Sequence, residues 1–166
     1  MNNPEDPTMD ATQKKSDAAK GKSHPFWRCF WLTFLVASLG YAWYSFYVPP
    51  NDVVWADDIA SARQRSTESG KNMLLFFTAD WCVPCRIMKR EVFADQETMT
   101  AINDQVVPVM LYAGAPGTDE VFSLYDVGGT PVTIFTNPQG DVLDYAVGKM
   151  EKTEFLKMLE NLGSGP

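Results

Sequence analysis

The sequence predicts an α/β fold, with one mixed β-sheet flanked by helices, preceded by a single membrane-spanning helix. Three observations predict it. Residues 30–48 contain no charged side chain, and beyond residue 57 apolar strand patterns alternate with helix patterns. A Cys-x-x-Cys pair stands where the first apolar run passes into a helical pattern. At 166 residues the chain is long enough for one compact domain and an appended segment.

The apolar segment at residues 26–48 is expected to be an uncleaved transmembrane anchor. Its one charged residue is Arg28, and a helix of about 20 apolar residues is sufficient to cross a bilayer. Aromatic residues gather at both ends, as they do at membrane–water interfaces. A buried core helix would rarely lack charge over this length, and a cleaved signal peptide would end in a small-x-small site rather than Tyr-Val-Pro-Pro.

The charges on either side of this segment predict that the N-terminus is cytoplasmic. Residues 1–50 carry five Lys and Arg against four acids, whereas residues 51–166 carry nine bases against seventeen acids. Because cytoplasmic flanks are enriched in Lys and Arg, the chain beyond residue 48 is expected on the periplasmic side of a bacterial inner membrane. The net charge of −7 argues against nucleic-acid binding.

Composition divides the chain into four expected segments. Residues 1–25 are polar enough to predict a disordered cytoplasmic tail. The anchor at residues 26–48 follows, and Pro49-Pro50 then begin a short, stiff spacer over residues 49–56. Residues 57–163 form the α/β domain.

The first half of the domain is expected to contain a helix, a strand and two further helices. The helical pattern at residues 57–69 ends at Gly70. Residues 73–78 are a continuous apolar run, typical of a buried central strand. Residues 82–93 have a helical composition, and Asp95 can cap a short helix that runs to about residue 103.

The second half begins with another buried strand, at residues 106–112, in which Pro108 leaves one gap in the hydrogen-bond ladder. Further along, the turn sequence Asn-Pro-Gln-Gly at residues 137–140 predicts a hairpin. The remaining expected elements are a helix at residues 119–125, the hairpin strands at 132–136 and 142–147, and a last helix at 152–162.

Cys82 and Cys85 are the candidate redox site. The free N–H groups and the dipole of a helix N-terminus favour a negatively charged Cys82 sulfur, and the thiolate is the form that attacks a disulfide. Cys85 lies one turn further along, facing the core, and from there it can attack a mixed disulfide formed by Cys82. Pro84 is tolerated in a first helical turn, and Trp81 is expected to shape the docking surface beside the pair.

The stretch Ala-Asp-Trp-Cys-Val-Pro-Cys at residues 79–85, with Gly-Gly-Thr-Pro at residues 128–131, resembles the thioredoxin superfamily. Val-Phe-Ala-Asp at residues 92–95 is similar to the branch that contains the soluble C-terminal domain of the bacterial membrane reductase DsbD. The resemblance covers about residues 55–162 and implies a thioredoxin-like fold. It implies a redox-active disulfide, with Cys82 as the nucleophile and Cys85 as the resolving cysteine.

The same resemblance implies a substrate-binding element at Thr130-Pro131. Pro131 is expected to be cis and to face Cys82, while Thr130 offers its backbone to an extended substrate strand. Trp81 and Pro84 complete the expected docking surface. From the residues alone, the alternative that Pro131 is an ordinary trans-proline in a turn after two glycines is not excluded.

Two positions depart from the family pattern. Many thioredoxins have a buried acid six residues before the nucleophilic cysteine, and here that residue is Phe76. The DsbD domain has a glutamate four residues after its second cysteine, and here that residue is Lys89. The usual proton acceptor for Cys85 is therefore missing. We expect a water or Asp80 to replace it, unless resolution is slow.

The cysteine pair has two other interpretations, a zinc site and an inert structural disulfide. Zinc would need further soft ligands, and only His24 and Cys29 remain, at or before the anchor. The strand-to-helix position of the pair disfavours an inert disulfide. We therefore expect no metal and no other cofactor, and we interpret Cys29 as a small apolar residue.

The expected activity is reduction of disulfides in exported proteins. Val-Pro between the cysteines lacks the histidine of strongly oxidising relatives, and a proline before the second cysteine is typical of reductases. Such a reductase needs electrons from an integral-membrane donor of the DsbD type. The alternatives are an oxidase or isomerase, a cytochrome c maturation thioredoxin, and a tethered binding module with a structural disulfide. The 45 residues between Cys85 and Pro131 leave little room for the insert that the maturation proteins carry.

Overall fold

The computed structural model describes residues 25–163, which divide into an N-terminal helix and an α/β unit. Helix α1, Pro25–Phe46, has 22 residues and is long and apolar enough to cross a membrane. It begins one residue before the expected anchor segment and ends two residues before the end of that segment. The expected tail, including His24, lies outside the described residues apart from Pro25.

The α/β unit contains a four-stranded mixed sheet with the strand order β2-β1-β3-β4. The strands are β1 (Asn72–Thr78), β2 (Val106–Tyr112), β3 (Val132–Thr136) and β4 (Val142–Val147). β1 is parallel to β2 and antiparallel to β3, and β3 is antiparallel to β4. This arrangement confirms the predicted mixed sheet and the C-terminal hairpin. β1 is central and buried from Met73 to its end, which explains its continuous apolar sequence.

Five helices accompany the sheet in the described α/β unit, and side-chain caps determine where several of them begin. Asp58 accepts a hydrogen bond from the Ser61 N–H at 2.7 Å, and Gly70 ends the same helix with a left-handed φ of 71°. Capping residues lie outside the helix, so two helices begin later than predicted. The helices are α2 (Ile59–Ser69), α3 (Val83–Glu91), α4 (Gln96–Gln105), α5 (Asp119–Leu124) and α6 (Lys152–Gly163).

Two apolar clusters form the core, because alternate residues of each strand point to opposite faces of the sheet. On one face the Phe76 ring meets Phe93 edge-on, with centroids 4.8 Å apart, and Phe93 in turn meets Phe155 at 5.5 Å. Both cysteines of the pair belong to this cluster. The other cluster includes Met73 and Phe77.

The end of the expected spacer packs onto the domain. Val53 and Ala56 are buried, and the Trp55 ring lies 5.4 Å from that of Phe93. The Ala56 N–H donates to the Pro108 carbonyl at 2.8 Å, along the outer edge of β2. The folded unit therefore includes residues 53–56, which were expected to lie outside it.

Helices α4 and α6 are joined through Lys152. Its ammonium lies 2.9 Å from an Asp95 oxygen and 2.8 Å from a Glu97 oxygen. The hydrogen bond from Lys152 lowers the pKa of the Asp95 carboxyl below its ordinary value of 3.8. A carboxyl whose pKa is lowered by folding stabilises the fold above its unfolded-state pKa. That stabilisation is lost as the pH falls through the lowered value.

We predict that Asp95→Asn lowers the free energy of unfolding at pH 7 by no more than about 1 kcal/mol, because solvent screens this partly exposed pair. Asparagine retains the N-cap of α4, so the loss reports the ion pair rather than the cap. Urea unfolding should show the gap between variant and unmodified protein narrowing as the pH falls below 4. A gap that is independent of pH would contradict this role of the ion pair.

Candidate active site

The two cysteines lie at the start of α3, directly after the buried central strand. Cys82 is the N-cap residue, and its Sγ accepts a hydrogen bond from the Cys85 N–H at 3.2 Å. The Cys82 N–H donates to the Ala79 carbonyl at 3.1 Å and closes the turn between strand and helix. Pro84 lies in the first helical turn, where its missing N–H breaks no helical bond. The predicted strand-to-helix position of the pair is confirmed.

Cys82 and Cys85 are joined in a disulfide with their Cα atoms 5.3 Å apart. Cys85 is fully buried in the same core cluster as Phe76 and Met88, which confirms that it faces inward. Cys82 is buried as well, but its sequence neighbours are not. The pair therefore lies between the core and the surface, with Cys82 at the outer end.

An exposed apolar surface adjoins the disulfide. The Trp81 side chain is 73% exposed and Val83 is 52% exposed, while Pro84 is half-buried. Exposed apolar surface of this kind is typical of sites that dock another molecule. The Trp81 ring projects into solvent beside the cysteines and is available to such a partner.

The Thr130-Pro131 peptide bond is cis, which confirms the expectation from the resemblance. β3 is antiparallel to β1, with Val132 opposite Phe77. Pro131 therefore lies where β1 ends and the cysteine segment leaves the sheet. We call this side of the sheet, formed by the C-terminal end of β1 and the N-terminal end of β3, the cis-proline edge. The Gly148 N–H donates to the Pro131 carbonyl at 2.8 Å, so the loop after β4 reaches the same edge.

The two departures from the family pattern put an aromatic ring and a lysine where relatives have acids. Phe76 fills its position with a fully buried ring. Asp80 is exposed, and its backbone carbonyl accepts a hydrogen bond from Arg86 Nη1 at 2.8 Å. Among residues 25–163 no carboxylate is buried. Asp80 as the proton acceptor for Cys85 stays a prediction, and its exposure does not favour it.

The sequence analysis did not foresee that Lys89 would be buried. This side chain is 9% exposed, and its ammonium donates to the Tyr112 hydroxyl at 3.1 Å. The ammonium also lies 4.5 Å from the centroid of the same ring, within the range of a cation–π contact. Spacing alone puts Lys89 on the Cys85 face of α3. Burial was not predictable, because lysine is seldom buried.

Comparison with known proteins agrees with this geometry. Residues 59–163 match the family profile described as a thioredoxin-like domain. The chain belongs to this thioredoxin-like family. DsbD from Ralstonia nicotianae is 32% identical over 99 residues, which cover 58% of this chain and 16% of that protein. The chain thus spans less than a fifth of the length of this DsbD relative.

Solved structures share the thioredoxin-like fold. A thioredoxin from Thermus thermophilus aligns with a TM-score of 0.62 at 22% identity, covering 68% of this chain and 88% of that one. The oxidised C-terminal domain of Neisseria meningitidis DsbD aligns with a TM-score of 0.53 at 21% identity, covering 61% and 90%. The predicted fold and the resemblance to DsbD are therefore confirmed. The thioredoxin-like domain carries the cysteine pair of a thiol–disulfide oxidoreductase family.

We predict that Cys82 and Cys85 differ in reactivity in the reduced full chain. In a Cys29→Ser background, limiting iodoacetamide at pH 7 should modify Cys82 at least tenfold faster than Cys85. The helix N-terminus favours the Cys82 thiolate, whereas Cys85 has no exposed surface. Mass spectrometry of the digested protein gives both rates, and Cys85 should become reactive once urea unfolds the chain. Equal rates in the folded protein would refute the assignment.

Proposed function

We propose that this protein is a membrane-anchored thiol–disulfide oxidoreductase that reduces disulfides of exported proteins through Cys82 and Cys85. The observation that carries the proposal is the disulfide at the N-terminus of α3, bordered by exposed apolar side chains and by the cis-proline edge of the sheet. The N-terminus of a helix stabilises a thiolate, and the exposed surface gives a client access to it.

The reaction proceeds in two exchange steps, starting from the reduced pair. The Cys82 thiolate attacks a client disulfide, so a Cys82–client disulfide forms and the other client sulfur leaves as a thiolate. Cys85 gives its proton to solvent and attacks the Cys82 sulfur. The Cys82–Cys85 bond forms, and the second client sulfur leaves and takes up a proton. Two electrons pass from the pair to the client, and no further cofactor is needed.

The client is held at the edge of the sheet that carries the pair. Thr130 lies two residues before β3 there, next to Pro131, and its backbone pairs with an extended client segment as an added strand does. Trp81, Pro84 and Pro131 supply the apolar contacts beside the reacting sulfurs. Binding through backbone and apolar contacts accepts many client sequences, which suits an enzyme that acts on several exported proteins.

The cellular arrangement rests on α1 and on the similarity to DsbD. The α1 helix is apolar enough to act as an anchor, and Lys14, Lys15, Lys20 and Lys22 precede it. In this arrangement the N-terminus is cytoplasmic and the thioredoxin-like domain is periplasmic. A reductase there requires an integral-membrane electron donor of the DsbD type, since its own pair is oxidised at each turnover.

The reduction potential of the pair separates a reductase from an oxidase or isomerase. We predict that the full chain in detergent, equilibrated in glutathione buffers at pH 7, has a potential closer to the −270 mV of thioredoxin than to the −120 mV of DsbA, both approximate values. Trapping the thiols with a maleimide and separating the two forms by mass gives the ratio. A potential near that of DsbA would reassign the protein as an oxidant.

A trapping experiment separates an enzyme from a tethered binding module. We predict that Cys85→Ser accumulates mixed disulfides between Cys82 and exported proteins, because the second exchange step is blocked. Cys82→Ser is the matched control and should accumulate none at that position. Non-reducing electrophoresis followed by mass spectrometry identifies the adducts. If both variants are equally free of adducts, the pair is structural and the proposal fails.

A further inference from the structure

Among residues 25–163, Lys89 is the one charged side chain that is buried, and its hydrogen-bond partner Tyr112 is neutral. Its ammonium contacts the Tyr112 hydroxyl and ring. Within residues 25–163 no carboxylate oxygen lies within 4 Å of it. Arg90 on the same helix differs in this respect, since it pairs with Glu91 at 3.7 Å. A buried charge without an opposite charge is costly.

Lys89 lies four residues beyond Cys85, one helical turn further along α3. Residues four apart lie on one face of a helix with their Cβ atoms about 5–6 Å apart, and helical side chains lean toward the N-terminus. The stem of Lys89 therefore leans toward the turn that contains Cys85. Its partner Tyr112 is paired with Thr78, the last residue of β1, at the edge where the cysteine segment begins. Cys85 and Lys89 are both on the buried face of α3.

We propose that Lys89, held in place by Tyr112, is a positioning residue that stabilises the thiolate of Cys85 in the mixed-disulfide intermediate. This inference rests on the proposed function. When Cys82 is bonded to a client, Cys85 must lose its proton to solvent before it attacks Cys82. In a core without a buried carboxylate, the opposite charge that favours this ionisation is the Lys89 ammonium. The thiolate in turn supplies the negative partner that Lys89 lacks.

Loss of the Lys89 ammonium should therefore slow only the second exchange step, in which Cys85 attacks Cys82. Lys89 is seven residues beyond Cys82, about two turns along the helix, whereas Cys85 is one turn away. If removal of the ammonium lowers the Cys85 thiolate fraction tenfold, the remaining thiolate is more basic and more nucleophilic. With a Brønsted coefficient of about 0.5, the net loss in rate is about threefold.

Dithiobis(nitrobenzoate) measures the two steps separately, because Cys82 releases one thionitrobenzoate when it attacks and Cys85 releases a second when it resolves the adduct. The reduced full chain in detergent, in a Cys29→Ser background, is followed by stopped flow at pH 7. We expect Lys89→Met to slow the second release about threefold and to leave the first unchanged. Lys89→Arg retains the cation and should keep the second release within twofold of the unmodified rate.

The matched control is Lys157→Met, which removes an exposed lysine of α6 and should change neither step. Tyr112→Phe keeps the cation but removes the hydroxyl that holds it, and should slow the second release less than Lys89→Met does. The inference is overturned if Lys89→Met leaves the second release unchanged or slows both releases equally, as a general structural defect would. If the Cys29→Ser protein with Lys89 intact never gives a second release, the proposed function itself is refuted, independently of the Lys89 variants.

Discussion

The site depends on the hydrogen bond by which the Cys82 sulfur caps α3. Because Sγ accepts the Cys85 N–H, the helix begins at Val83 and the first-turn N–H of Cys85 points at the sulfur of the proposed nucleophile. Cys82 and Cys85 lie within one helical turn, and their Cα atoms, 5.3 Å apart, are close enough for the disulfide that joins them. The buried strand β1 holds the other side of this junction, so the cap has a rigid base.

The same junction explains where the residues proposed to bind substrate lie. β1 ends at the edge where β3 begins, because the two strands are antiparallel. The cis-proline and the cysteine pair, distant in sequence, are therefore brought to one edge by strand pairing alone. Trp81 and Val83 remain exposed there because the chain must leave the sheet before the helix can start.

Sequence reasoning predicted the strands well and the helix ends less well. The apolar runs of β2 and β3 predicted their bounds, because a strand buried between layers has little freedom in composition. β4 is largely exposed, and the turn sequence before it was the signal that located it. Helix starts were predicted one or two residues early at α2 and α3, since a cap residue belongs to the pattern but not to the helix. The packing of residues 53–56 was missed because four residues carry no measurable periodicity.

Within the site, spacing predicted which residues approach the sulfurs but not how each is solvated. Cys85 was expected to face inward and does so, because helical periodicity determines direction. The environment of Lys89 depends on Tyr112, which lies 23 residues away on a neighbouring strand. A single sequence contains no signal for that contact, since lysine and tyrosine are both common on surfaces.

The distance in sequence between Cys82 and Pro131 has a consequence for the newly made chain. Contacts between remote segments form later in folding than local ones, because they require closure of a longer loop. A chain in which β3 has not yet joined β1 already possesses both thiols but lacks the cis-proline edge that is proposed to bind a client. Any selectivity that this edge gives the sulfurs is acquired only when β3 has joined the sheet.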